Sequence, residues 1–150
     1  MKKTQIIGIA VLIVGGGLAL HVARSQQPGI NRTQGAPLRE TVTVAADEPI
    51  PNLPGKRLVT HIVDYPPGAS SVPHRHARSA FIYAYVLSGE IRSQVDDEPA
   101  RVYRAGETWF ESPGAHHRVS ENASETESAR LLAVIVVDAA DVPLTIPDAQ

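Results

Sequence analysis

Two short histidine clusters contain the residues whose types and spacing could do chemistry. The first holds His74 and His76, separated by one residue, and the second is His116-His117, which follows a Pro-Gly turn. Alternate residues of an extended strand point to the same face, so the side chains of His74 and His76 can reach one point from Cα atoms roughly 6.6 Å apart. Imidazole nitrogens bind transition ions at about 2.0–2.1 Å. With a third histidine from the second cluster, this pattern predicts a metal site.

The second cluster contains two neighbouring histidines. In an extended segment His116 and His117 point to opposite faces, so only one of them is expected to bind an ion directly. The other would support the site from behind the ligands or lie at the surface. Three neutral imidazoles leave a divalent ion its full charge and open positions for water, O₂ or substrate, which favours Lewis-acid or redox chemistry. A metal-free polar pocket is the alternative interpretation.

Three other residues near the clusters have polar side chains that could contribute. Tyr83 and Tyr85 could orient a substrate, although their aromatic stripe is more typical of core packing with hydroxyl groups at the rim. Glu111 could supply a carboxylate ligand, although a solvent-facing strand position is the more frequent role for a glutamate there. His61 has no partner at ligand spacing, and we interpret it as a packing or surface histidine.

The segments that must position these residues predict a small all-β domain. Short runs rich in β-branched and aromatic residues, such as 57–65 and 131–137, are separated by Gly- and Pro-containing turns about every ten residues. Since two distant histidine clusters must meet, we expect a closed β-barrel. The residues expected to supply much of its core are Ile62, Phe81, Ile82, Val86, Trp109, Leu132, Val134 and Val136.

The N-terminal segment has the order of a secretory leader. A basic start is followed by an apolar stretch at 6–22 and by small residues at 23–25. Residues 1–25 therefore predict a signal peptide or signal-anchor helix, and an exported protein that is periplasmic, secreted or held to the membrane through this segment alone. Residues 26–37 are interpreted as a flexible linker, 38–142 as the barrel domain and 143–150 as an irregular C-terminal tail.

The composition excludes several classes of function. The chain has 150 residues, 43% of them hydrophobic, with a formal net charge of −2 and no cysteine. This length suits one domain with a modest core. The charges are interspersed, so no basic stripe indicates nucleic-acid binding. The absence of cysteine excludes disulfides, thiol nucleophiles and cysteine-zinc sites.

The residues around the histidines resemble the two sequence motifs of the cupins. Matching glycines and histidines occur in the expected order, with a proline and an asparagine in the second motif. These residues are Gly68, His74, His76 and Gly89 for the first motif, and Gly106, Pro113, His117 and Asn122 for the second. The resemblance implies a single jelly-roll β-barrel with a metal inside. It implies His74, His76 and His117 as the ligands, because the motif register selects His117 over His116.

The resemblance departs from the cupin pattern at one ligand. The glutamate of the first motif would fall on Ala80, Phe81 or Ile82, and none of these residues can bind a metal. A site of three histidines is nevertheless similar to that of the thiol dioxygenases, which are cupins with an iron held by three histidines. That similarity is in the ligand set alone.

The resemblance implies a range of functions. One divalent transition ion (Fe, Mn, Ni, Cu or Zn) would bind, and a small-molecule ligand would be the partner of an oxygenase, isomerase or decarboxylase. The alternatives are a non-catalytic module that binds a small ligand or metal, and a degenerate cupin with a structural or dimerising role. Many cupins pair through sheet edges, so a homodimer is a further implication.

Overall fold

The computed structural model describes residues 38–149, which form β-strands joined by short turns. The predicted leader and linker lie outside the described residues. Within residues 38–149, no helix is long and apolar enough to cross a membrane. The strands are β1 Thr41–Pro49, β2 Lys56–Tyr65, β3 His74–His76, β4 Phe81–Ser88, β5 Glu90–Val95, β6 Arg101–Arg104, β7 Thr108–Glu111, β8 His116–Asn122, β9 Ala129–Asp138 and β10 Thr145–Pro147.

The strands form two antiparallel sheets that enclose the core. The first sheet has the order β1-β2-β9-β4-β7, and the second has the order β10-β3-β8-β5-β6. Strands that alternate between two facing sheets in this way make a jelly roll, so the predicted all-β jelly-roll barrel is confirmed. The tail at 143–150 differs from the irregular segment that we expected, because Thr145–Pro147 pairs with β3 at the edge of the second sheet.

Strand β9 shows which residues of the first sheet face the core. Leu131, Ile135 and Val137 are buried, and Leu132, Val134 and Val136 point to the outer face of the sheet. The sequence-based choice of inward residues in this strand was therefore wrong by one position. An uninterrupted apolar run such as LLAVIVV has no polar alternation that would show which face is inward.

The same alternation of inward and outward side chains explains which other predicted core residues are buried. Ile82, Val86 and Trp109 are buried as expected. Phe81 is 43% exposed and stacks on Phe110 at the outer face, with 5.7 Å between ring centroids. The predicted residues that lie on the outer face of the first sheet are Ile62, Phe81, Leu132, Val134 and Val136.

Gly89 makes the connection between β4 and β5 and has a positive φ of 71°. A Cβ at this position would lie 2.6 Å from the carbonyl oxygen of Ser128 and 2.8 Å from the Cα of Ala129. Gly106 also has a positive φ, of 89°, but a Cβ there would meet no atom within 4 Å. Comparing the two glycines therefore separates the cost of a positive φ from the cost of a steric clash.

We expect Gly89→Ala to destabilise the barrel more than Gly106→Ala does. Both changes force an alanine into the left-handed region, at a cost of about 1–2 kcal/mol. Only the change at Gly89 also pushes a methyl group into neighbouring backbone, which adds about 1–3 kcal/mol. Urea denaturation of the two variants measures the difference. Equal losses in the free energy of unfolding would contradict this interpretation.

Candidate metal centre

The two histidine clusters meet because their strands are neighbours in the second sheet. β3 carries His74 and His76, and the antiparallel register places His74 directly opposite His117 on β8. The turn before β8 is held to β3 by the backbone N–H of His76, which donates to the carbonyl of Ala115 at 3.0 Å. Three histidine side chains from two short strands thereby face the barrel interior.

The ring nitrogens of these three histidines converge. One nitrogen from each of His74, His76 and His117 lies within 4.8 Å of the other two. The ring centroids are 4.9 Å apart for His74 and His76, 5.3 Å for His74 and His117, and 6.1 Å for His76 and His117. Ligands at about 2.1 Å from one ion lie up to roughly 4.2 Å apart, so small side-chain adjustments would allow all three to bind it.

Glu111 adjoins this cluster from the opposite sheet. Its side chain is buried, with Oε2 2.8 Å from Nε2 of His76 and Oε1 3.4 Å from Nδ1 of His117. The indole N–H of Trp109 donates to Oε1 at 3.1 Å. The expected solvent-facing position of Glu111 is therefore wrong, because β7 turns Trp109 and Glu111 inward and Phe110 outward.

Glu111 lies beside the place where the cupin pattern has the glutamate of the first motif. Counting back from Gly89 places that glutamate at Ile82, and Ile82 is the direct pairing partner of Glu111 across β4 and β7. The carboxylate thus enters the same part of the barrel from the neighbouring strand. The sequence carried a signal for it, since Trp109 was expected in the core and Glu111, two residues later, shares its face.

Hydrogen bonds hold two of the histidine rings. Nδ1 of His74 donates to the carbonyl of Val72 at 2.7 Å, which leaves Nε2 free for an ion. Nε2 of His117 is hydrogen-bonded to Oγ of Ser93 at 2.9 Å, so its Nδ1 faces Glu111. A partner on one ring nitrogen fixes the ring while the other binds, as is usual for histidine ligands.

The centre of the cluster holds buried polar atoms that lack hydrogen-bond partners. Among residues 38–149, both ring nitrogens of His76 and Oε2 of Glu111 have none. The 2.8 Å contact between Nε2 and Oε2 is short, but its angles are not those of a hydrogen bond. Unpaired buried polar groups cost about 1–3 kcal/mol each. Imidazole and carboxylate lone pairs are donors for a divalent transition ion, so these residues fit a metal.

Burial keeps two of the three histidines neutral. It lowers the pKa of His117 to about 4 and also lowers the pKa of His74. Burial alone would raise the pKa of Glu111, but the contact with His76 and the nearby imidazoles lower it to about 2. At neutral pH the cluster thus contains neutral His74 and His117 beside a carboxylate, and metal ligands must be deprotonated in this way.

The other candidate residues lie away from the cluster. His116 faces the opposite way, and its Nε2 contacts Oδ2 of Asp148 at 2.8 Å, so it does not support the ligands. Tyr83 and Tyr85 lie on the outer face of β4, where Tyr83 packs on Phe110 with 5.3 Å between ring centroids. The structure therefore gives neither tyrosine a position from which it could orient a ligand inside the barrel.

The cluster lies in the wall of a cavity of about 270 Å³ between the two sheets. His61, which we expected in the packing or at the surface, lines this cavity and is half-buried. Burial and the nearby His76 lower its pKa. The hydroxyl of Tyr65 also lines the cavity and hydrogen-bonds the hydroxyls of Ser71 and Ser120 at 2.8 and 2.7 Å.

Comparison with known proteins decides the family. A model of the cupin domain matches residues 61–135, which is half of the chain and contains all three converging histidines. The chain belongs to the cupin family. The resemblance seen in the two motifs is thereby confirmed. No curated protein matches the sequence closely enough to show a nearer relationship.

Several solved cupin-like structures share the fold. A conserved protein with a double-stranded β-helix domain from Klebsiella pneumoniae is 17% identical, with a TM-score of 0.58 over 75% of this chain and 86% of that one. KdgF from Halomonas sp. is 17% identical, with a TM-score of 0.53 over 67% and 81%. An oxalate oxidase is 24% identical, with a TM-score of 0.52 over 70% of this cupin and 57% of the oxidase. At these identities the likeness shows the fold alone.

We expect the metal-free protein to lose stability as the pH falls from about 6.5 to about 4. The unfolded chain protonates His117 near its ordinary pKa of 6.5, whereas the folded chain does so near 4. The unfolded state therefore binds more protons in this window, and the free energy of unfolding falls by about 3 kcal/mol. Urea denaturation of chelator-treated protein between pH 4 and 7 measures the loss. An NMR titration of His117 with a midpoint near 6.5 would show that the assigned cause is wrong.

Proposed function

We propose that this cupin binds one divalent transition ion through His74, His76 and His117, with Glu111 as the adjoining carboxylate. The observation that carries the proposal is the convergence of three histidine nitrogens within 4.8 Å around buried atoms that lack hydrogen-bond partners among the described residues. A site with neutral imidazoles and one carboxylate suits Fe, Mn, Ni, Cu or Zn.

The surrounding residues support a role in the chemistry of a small molecule. A bound ion of this kind supplies Lewis-acid or redox chemistry at the positions that the protein leaves open. Ser93 and the carbonyl of Val72 hold two of the rings, and Trp109 holds Glu111. We therefore favour an oxygenase, isomerase or decarboxylase, and one relative of the same fold is an oxalate oxidase.

A non-catalytic binding module is the second candidate. The observation in its favour is the cavity of about 270 Å³ beside the cluster, which would hold a small ligand whether or not a reaction follows. Turnover of a bound molecule distinguishes the enzyme from the module. Export through residues 1–25 and pairing into a homodimer are further parts of the proposal, and cell fractionation and light scattering test them.

We expect untagged protein to contain a transition metal by elemental analysis, and chelation to lower its melting temperature. An ion that binds only the folded state stabilises it by about 2.7 kcal/mol at a hundredfold excess over Kd. His76→Ala should abolish the effect of the chelator. His61→Ala is the matched control, because His61 lines the same cavity outside the three-histidine cluster.

The metal proposal fails under a defined result. It is overturned if the purified protein holds no metal and none of Mn, Fe, Ni, Cu or Zn raises the melting temperature of the parent protein by more than it raises that of His76→Ala. The metal-free binding module would then be the better description.

We expect Glu111→Gln to weaken metal binding by about 10–100-fold, the usual effect of losing a group that binds or orients a ligand. The change keeps the size of the side chain and removes its negative charge. Glu98→Gln is the control, because Glu98 is exposed in the turn between β5 and β6. Competition with a chromophoric chelator measures both affinities. Equal affinities for the two variants would show that Glu111 has no part in the site.

A further inference from the structure

We propose that the cavity receives an apolar small molecule bearing a hydrogen-bond donor, an ammonium or a hydroxyl group, and that Glu40 accepts this donor. The proposal deepens the function proposed for the same site and rests on it. The proposed ligand therefore differs from a carboxylate anion, which a bound metal alone would favour.

The walls of the cavity are largely apolar. They include Val63, Ile82, Leu131 and Ile135. No lysine or arginine belongs to the part of the lining that residues 38–149 provide. A carboxylate ligand would therefore find no positively charged side chain there, and a buried anion without such a partner is costly. An apolar body without negative charge suits this lining better.

Glu40 supplies an acceptor that nothing in the described chain uses. It immediately precedes β1 and lines the cavity, and its Oε2 is buried without a hydrogen-bond partner among residues 38–149. An unpaired buried acceptor costs about 1–3 kcal/mol, which a donor on a bound molecule would recover. The segment is anchored, because the backbone N–H of Ser70 donates to the carbonyl of Leu38 at 3.2 Å and Nη1 of Arg39 donates to the carbonyl of Ser70 at 3.3 Å.

Three hydroxyl groups of the lining already have partners. The hydroxyl of Tyr65 is hydrogen-bonded to those of Ser71 and Ser120. Glu40 is close enough to this group and to the histidines for its charge to act on both. Burial raises the pKa of Tyr65 and lowers that of His74, and in each case the charge of Glu40 makes a smaller, raising contribution. The free acceptor thus shares one cavity with the metal cluster, so a single molecule can meet both.

The size of the cavity limits the ligand. A volume of about 270 Å³ lies just below the usual range for small-molecule sites, roughly 300–1,000 Å³. A single ring with one polar substituent fits such a space. Benzylamine, benzyl alcohol and benzoate share this skeleton and differ in charge and donor capacity, so they are suitable probes.

The experiment compares these three probes on metal-free and zinc-loaded protein, with dissociation constants from ligand-observed NMR. In the metal-free protein we expect benzylamine and benzyl alcohol to bind more tightly than benzoate. Glu40→Gln should weaken benzylamine about tenfold, because a hydrogen bond to a charged group is worth about 1.5–3 kcal/mol. Benzyl alcohol should lose less, since the amide oxygen of glutamine still accepts its proton. This difference separates ammonium from hydroxyl ligands.

Glu48→Gln is the matched control, because Glu48 is exposed on β1. It should leave all three affinities unchanged. Glu40→Gln should also leave the melting temperature of the ligand-free protein unchanged, whereas a merely structural role for Glu40 would lower it.

Three results would overturn the inference. In the first, benzoate binds the metal-free protein more tightly than either donor probe does. In the second, the donor probes bind Glu40→Gln and the parent protein with equal affinity. In the third, neither donor probe binds. Metal analysis is a separate measurement. If the probes bind in a Glu40-dependent way but the protein takes up no metal, the proposed metal site is wrong and this inference stands. If the protein takes up metal but the probe affinities do not depend on Glu40, the reverse holds.

Discussion

The pairing register between β3 and β8 is the constraint on which the site depends. Side chains alternate between the two faces of a strand, so the register that sets His74 opposite His117 also turns His116 away to Asp148. A slip by one residue would turn His117 outward and His116 inward. A register shift between β5 and β8 adjoins this point, where Val95 pairs with His117. Bulges of this kind commonly redirect a side chain beside a functional site, and here Ser93 holds the redirected ring.

Electrostatics explains why so polar a group can be buried in a small barrel. Burial favours neutral His117, and the contact between Glu111 and the imidazoles favours the carboxylate. The N–H of Trp109 satisfies one oxygen of Glu111, and the other oxygen remains unpaired within residues 38–149. The hydrogen-bonding capacity of the cluster is therefore incompletely satisfied within the described residues. Buried lone pairs without partners, on rings that neighbouring hydrogen bonds hold in place, suit a cation.

The sequence predicted much of this architecture because its strongest signals are local. Turn residues at regular spacing and β-branched runs identified the strands, and the i, i+2 rule identified His74 and His76 as a pair. The inward face of β9 could not be read, because every residue of its run is apolar. Glu111 was misplaced because a charged side chain is seldom fully buried, although Glu111 shares the inward face of β7 with Trp109. Glu40 lacked a signal altogether, since only the folded cavity shows that it lines the interior.

The charges around the cavity connect the metal site with the ligand site. Glu111 adjoins the histidines, and Glu40 lines the same space, so the described lining contributes two carboxylates and no lysine or arginine. A divalent ion at the histidines would balance these two charges, and the cavity would then be close to neutral with one acceptor still free. An anionic ligand would restore a net negative charge in an apolar space, which desolvation opposes. A neutral ligand with a hydrogen-bond donor adds no net charge and supplies the partner that Oε2 of Glu40 lacks. The acidic side chains that suit a cation at the histidines therefore also favour this kind of ligand in the cavity beside it.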